Sequence, residues 1–203
     1  MLLLYAIELA ATASGEGKPQ PHGIDDEPLS VLTAGELAAV VSDEESAPQP
    51  IARNFIAYER VIERLMTRGT ILPARFGTTL ETEREVKTML VTRQAEFLEA
   101  LQRVQGAVEF AVRIPEAADS KPQAKPKSGT DYMQRLVNSN RQANELTTQV
   151  ENATRGLPIT IRRSTRSLAC LVHKQVAEEF VNRTRAKGLT VTGPWPPYSF
   201  VNR

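Results

Sequence analysis

The side chains that most often carry catalysis are scarce in this chain. Its 203 residues include two histidines, His22 and His173, one cysteine, Cys170, and one tryptophan, and aromatic residues make up only 5%. One thiol cannot pair within the chain, so a disulfide framework and a cysteine-rich zinc site are both excluded, and a reducing compartment is expected. A strong charge of either sign is also missing. Twenty-five basic and 24 acidic side chains leave a formal net charge of +1, too little to draw nucleic acid or an acidic substrate through a global field. Long hydrophobic runs are absent as well. Residues 2–7 are apolar, but no lysine or arginine precedes them and Glu8 ends them, so they make neither a secretion signal nor a span. The expectation is a cytoplasmic protein with no cofactor, no metal, and neither nucleic acid nor a lipid membrane as partner.

What is present is enough apolar material, 41% of residues, to bury a core. Residues 10–28 hold Gly15, Gly17, Pro19, Pro21 and Pro28, and residues 115–128 hold three prolines and three lysines; both stretches read as loops, the second as an exposed linker. Charge separates along the chain. Residues 1–114 carry 11 basic and 17 acidic side chains, a net of −6, whereas residues 129–203 carry 11 and 5, a net of +6. Oppositely charged halves dock on each other, or the basic half meets an acidic partner.

In the first half, residues 2–9 and 29–42 are strand-like, the latter broken at Ala34-Gly35. Ile51, Phe55, Tyr58, Ile62 and Leu65 draw an apolar stripe down a helix that Gly69 ends. Residues 71–78 read as a strand. A second helix opens with Glu81, Glu83 and Glu85 and runs as one stripe through Val86, Leu90, Phe97, Leu101 and Val104 to Gly106. Residues 108–114 are another strand. Beyond the linker, Tyr132, Leu136, Ala143, Leu146, Val150, Ala153 and Leu157 predict a long helix whose thin stripe needs a surface to pack on, within the chain in preference to a self-associating coiled coil. Strands at 159–163, 168–173 and 189–192 and a short helix at 176–186 complete the pattern.

From Val108 the order is strand, helix, strand, strand, helix, strand, which is that of a ferredoxin-like domain. The chain is therefore α+β with two domains: an N-terminal α+β domain at 1–106 and a ferredoxin-like domain at 107–203, with the linker at 115–128 and an aromatic and proline-rich tail at 193–203.

Candidate sites are few. Cys170 and His173 lie three apart in a strand and so on opposite faces, which makes a packed core cysteine of the first and no nucleophile–base pair of the two. Asp25, Asp26 and Glu27 fit no calcium loop and read as a solvated turn. Strand alternation half-buries Arg75, and a buried guanidinium needs an acceptor; Glu59 and Glu63 are on the preceding helix, and a structural ion pair between Arg75 and Glu59 is expected in place of an anion site. The tail displays Trp195, Tyr198 and Phe200 among three prolines. Such a tail packs back on its own protein or anchors in a partner's groove.

These residues resemble a known family. LTVTGPWPPYSFV at the C-terminus is similar to the tail motif of the gas vesicle GvpL/GvpF proteins, ILPARFGT to their central signature, and GELAAVVS to a segment near their start. The resemblance covers nearly the whole chain; SGTDYMQRL follows the family only at Gly129 and Tyr132. It implies an N-terminal α+β domain, a modified ferredoxin-like C-terminal domain, and a non-enzymatic role as assembly factor or minor vesicle component. The implied partners are the apolar shell protein GvpA and other accessory gas vesicle proteins. The leading expectation is a factor in gas vesicles and cytoplasm that binds GvpA and limits its premature aggregation during nucleation. A purely structural component of the vesicle wall is the alternative, and a ferredoxin-like ligand-binding domain a more distant one.

Overall fold

The structure is a computed structural model that describes residues 1–13, 22–115, 128–163 and 167–201. All but the ends of the linker at 115–128, and the side chains of Tyr132 and Leu136, lie outside the described residues. The chain forms two compact units, Met1–Gly106 together with Pro196–Arg203, and Ala107–Trp195.

The first unit contains β1 (Leu2–Leu9), α1 (Ala10–Ala13), β2 (Leu29–Ala34), β3 (Leu37–Asp43), α2 (Ala52–Arg68), β4 (Ile71–Pro73), β5 (Thr79–Leu80), α3 (Glu83–Thr92) and α4 (Gln94–Val104). Its sheet is antiparallel in the order β2-β3-β1-β4, with β5 also paired to β1. Residues 3–7 of β1 are all buried. Successive strand side chains point to opposite faces, so both faces of β1 are covered. Tyr58, Val61, Ile62 and Leu65 of α2 join Leu3, Tyr5, Val40 and Ile71 in one core cluster, while α3 and α4 bury Val86, Leu90, Phe97, Leu101 and Val104 and pack on β2, β3 and β4.

Three local departures from the sequence pattern matter. The helix expected across 81–105 is two helices, broken at Arg93 (φ −110°, ψ 19°) with no glycine or proline there. The Arg93 guanidinium turns forward onto the next turn instead, bonding Glu96 at 2.9 and 2.6 Å and lying 4.6 Å over the Phe97 ring. The strand expected over 71–78 stops at Pro73, because the chain then turns through Arg75–Thr78 with Gly77 at φ +78°, a conformation that favours glycine. The stripe of α2 is displaced: Tyr58, Ile62 and Leu65 are buried with Asn54 and Val61, but Ile51 and Phe55 are 41% and 42% exposed.

The second unit contains β6 (Ala107–Arg113), α5 (Gly129–Ala153), β7 (Ile159–Arg163), β8 (Leu168–His173), α6 (Ala177–Arg185) and β9 (Thr190–Trp195). Its sheet is antiparallel in the order β7-β8-β6-β9. Phe110 meets Phe180 with ring centroids 5.4 Å apart, Leu168, Cys170 and Val172 are buried along β8, and Glu109, Thr154 and Thr184 are buried polar residues of the same unit. Among the described side chains of α5, Leu146, Val150 and Ala153 of its C-terminal half are buried, and Met133 and Val137 are exposed.

The final element, α7 (Tyr198–Val201), belongs to the first unit. The tail expected as one segment of the C-terminal domain is therefore divided. Trp195 ends β9, and Pro196 and Pro197, which have no N–H to donate, cannot carry the ladder further. Phe200 is then fully buried, and α7 packs on α4 and β4.

Candidate interaction surfaces

Two stacked tyrosines form the polar centre of the first unit. The rings of Tyr5 on β1 and Tyr58 on α2 have centroids 4.8 Å apart. Tyr5 Oη accepts from the Ile24 amide at 3.0 Å and lies 3.2 Å from Ser42 Oγ. Ser42 Oγ donates to Glu44, so Tyr5 is the donor to Ser42. Tyr58 Oη is 2.9 Å from the Leu4 carbonyl and 3.0 Å from that of Ala74, the residue directly after β4. Burial raises both phenols above their ordinary values, so they stay neutral donors at physiological pH. A side chain at position 23 would put its Cβ 2.6 Å from Tyr5 Oη, which explains Gly23.

The expected pair of Arg75 and Glu59 is not brought together: among the described residues no ion pair joins them, and the Arg75 side chain is exposed. The cause is the turn after Pro73. It removes Arg75 from strand alternation and uses its carbonyl to accept from the Thr78 amide at 3.0 Å and from Thr78 Oγ1 at 2.7 Å. Glu59 takes a different partner, accepting from Tyr198 Oη of the tail at 2.9 Å. Burial raises the Glu59 carboxyl, with the Tyr198 bond opposing and Glu63 adding to the rise. Burial and the neighbouring Glu59 push the Tyr198 phenol up. Two residues singled out for separate reasons thus form one contact.

The other tail residues part company. Phe200 is fully buried, and its carbonyl accepts from Arg103 Nε at 3.3 Å. Trp195 is 48% exposed at the end of an edge strand. Packing accounts for Tyr198 and Phe200, which leaves Trp195 as the residue of the three open to a partner.

Among the described residues, reactive groups do not converge. Burial, then Glu109, pushes the Cys170 thiol up to about 12, so it is no nucleophile at neutral pH. His173 Nδ1 accepts from the Gln175 amide at 3.4 Å. Asp25 pairs with Arg53 at 3.6 Å and Asp26 with His22 at 3.9 Å, and among the described residues no group of three or more His, Cys, Asp or Glu side chains is placed to hold a metal ion. No described helix is long and apolar enough to cross a membrane. The first unit also exposes the apolar side chains Ile51, Phe55 and Ile56 at and just before the start of α2, with the Phe76 ring tilted against that of Phe55 at 4.2 Å between centroids.

The family model described as gas vesicle synthesis protein GvpL/GvpF matches residues 2–202. The chain belongs to the GvpL/GvpF family. Gas vesicle protein F of Streptomyces sp. (strain CB03234) is 27% identical over 98% of each chain, and gas vesicle protein L of the same strain is 28% identical over 88% of this chain and 85% of its own. Two crystal structures share the fold: GvpF from Microcystis aeruginosa, with a TM-score of 0.73 at 18% identity over 100% of this chain and 99% of that one, and GvpF from Anabaena sp. PCC7120, with 0.70 at 19% over 100% and 96%. A GvpL/GvpF protein has a role in gas vesicle formation.

Sequence reasoning missed two features of this GvpL/GvpF chain. Glu8, the next-to-last residue of the apolar β1, is only 3% exposed, and among the described residues its Oε2 has no hydrogen-bond partner; the signal was a carboxylate continuing the strand's alternation. The exposed start of α2 was hidden inside a stripe that periodicity assigned to the core.

Proposed function

We propose that this GvpL/GvpF protein is a cytoplasmic assembly factor that binds the apolar shell protein GvpA, together with other accessory gas vesicle proteins, and limits GvpA aggregation while vesicles nucleate. The observation that carries this reading is the family match from residue 2 to residue 202. The exposed apolar side chains of α2 and Trp195 support it, since a subunit with large apolar faces aggregates unless a soluble surface covers them. The second unit is read as a modified ferredoxin-like domain; its β7-β8-β6-β9 order, with α5 between β6 and β7 and α6 between β8 and β9, supports that description.

Light scattering of purified GvpA with and without this protein tests the function. Suppressed scattering and a complex recovered by gel filtration at micromolar concentrations are expected. Unchanged scattering with no complex sinks the proposal. Urea washing of isolated vesicles distinguishes the alternative, because retention in the washed wall is the property of a structural component.

A further inference from the structure

The two edges of the second sheet are guarded differently. Its order leaves β9 and β7 each with a strand on one side only, and an edge strand presents unpaired N–H and C=O groups that another strand can join. β9 is blunted: its register on β6 shifts between Glu109 and Ala111, and Pro194 removes one donor. β7 pairs with β8 through all five of its residues without a shift and contains no proline. Its outer side is also open to solvent. Ile159 and Ile161 pair with Val172 and Cys170 and share their face of the sheet. Val172 and Cys170 are fully buried, whereas the two isoleucines one strand further out are only half-buried.

What guards β7 is charge of one sign. Helices α5 and α6 together carry four basic and five acidic side chains, so the net of +6 over residues 129–203 does not lie on them. It is concentrated in residues 154–176, which contain β7 and β8 and hold Arg155, Arg162, Arg163, Arg166 and Lys174 with no aspartate or glutamate. Arg163 ends β7 and is exposed, on the same face as the two isoleucines. Arg162 points to the other face and has contacts of its own.

We propose that β7 is a docking edge for an extended segment of another protein, which joins the four-stranded sheet as an added strand, sets β-branched side chains beside Ile159 and Ile161, and carries a carboxylate opposite Arg163. Main-chain hydrogen bonds give such an addition its affinity and alternate side chains its selectivity. Here the side chains opposite positions 159 and 161 complete the burial of the isoleucines. Charge selects the occupant. A second copy would lay one acid-free stretch of 154–176 against another, with repulsion and no compensating carboxylate, whereas an acidic strand meets complementary charge. The inference goes beyond the GvpA reading and does not rest on it, because the edge accepts a strand whichever protein supplies it.

The test uses the full chain and two fluorescent peptides with a Val-Thr-Val core, bearing glutamate at both ends in one and lysine at both ends in the other. Anisotropy should show the glutamate peptide binding at least about tenfold more tightly, with the advantage shrinking as salt is raised. Methylating the core amide nitrogens of that peptide should weaken binding by about tenfold or more, since the added ladder loses its donors. Arg163→Glu, at an exposed position, should reverse the preference toward the lysine peptide; the methylated peptide gives an independent reading on the parent chain. Hydrogen exchange with the glutamate peptide bound should slow in β7 and stay unchanged in β9 and β2. Binding of neither peptide, equal affinity for both, indifference to methylation, or protection gained at β9 or β2 instead would overturn the proposal. So would a heparin complex as tight as that of the glutamate peptide, which would make the basic stretch a polyanion site. Protection of β7 that rises with protein concentration alone would overturn it too, by giving the edge to a second copy.

Discussion

The two units solve the problem of filling a sheet protein's interior with different materials. The second closes around Phe110 on Phe180 with Leu168, Cys170 and Val172. It buries Glu109, Thr154 and Thr184 as well, but the two threonine hydroxyls donate to the carbonyl four residues back in the chain, and the unit is one contiguous stretch, residues 107–195. The first places two tyrosine hydroxyls, Ser42 and the carboxylate of Glu8 among its buried groups and recruits Phe200 from the far end of the chain. Hydrogen-bonded groups inside a core tolerate fewer arrangements than apolar ones, because each unmet donor or acceptor is costly. Mutations in the two units should therefore fail in different ways.

The largest effect is expected from truncating the fully buried rings. Phe200→Ala and Phe180→Ala should each cost about 3–5 kcal/mol. Hydrogen exchange should locate the first loss in α4 and β4, although residue 200 follows the whole second unit in sequence, and the second loss in β6 and β9. If Phe200→Ala loosens only residues 107–195, the division of the molecule is wrong. Tyr58→Phe should cost about 1–3 kcal/mol by leaving the Leu4 and Ala74 carbonyls without their hydroxyl donor, measured by urea denaturation; an unchanged midpoint would show that the polar centre contributes nothing.

Glu8 sharpens the comparison through pH. Burial raises its carboxyl, and Arg68 opposes the rise. A folded-state value above the unfolded one means the folded chain holds the proton more tightly, so the contribution to stability is full in acid and is lost as pH rises through the folded value. Glu8→Gln should accordingly stabilise the protein by about 1 kcal/mol at neutral pH, and the gap should close as the pH is lowered past the ordinary carboxylate range. A variant less stable than the parent at pH 7 would mean that the attraction of Arg68 outweighs burial. The smallest effect belongs to Arg75→Met, expected within about 0.5 kcal/mol because the side chain is exposed. A loss above about 1 kcal/mol would restore the ion pair with Glu59.

That last residue also shows where sequence stops being informative. Strands β1 to β3, α2 and the long α5 are legible because their apolar periods are long and local signals end them. Arg75 is misjudged because alternation was extended past Pro73, and two residues of strand differ from a turn only through Gly77 adopting φ +78°. The break at Arg93 carries neither proline nor glycine; its guanidinium reaches forward onto Glu96 and Phe97, a local contact that one continuous apolar stripe does not reveal. Trp195, Tyr198 and Phe200 are equivalent in the sequence, three aromatics among prolines. Only the complementary positions of Glu59, Arg103 and the underside of α4 decide that two are packed and one is left exposed.

The placement of α7 carries a consequence for how the polypeptide comes into being. A ribosome delivers β1 long before Phe200, with every residue of 107–195 in between, so the unit begun earlier waits longer for its final ring. During that interval the bed for Phe200 beside α4 is open and greasy, while the second unit can already be complete. Slowed translation between Trp195 and Phe200 would prolong that vulnerable stage, and chains stalled before Pro196 should be the ones that proteases and chaperones find first.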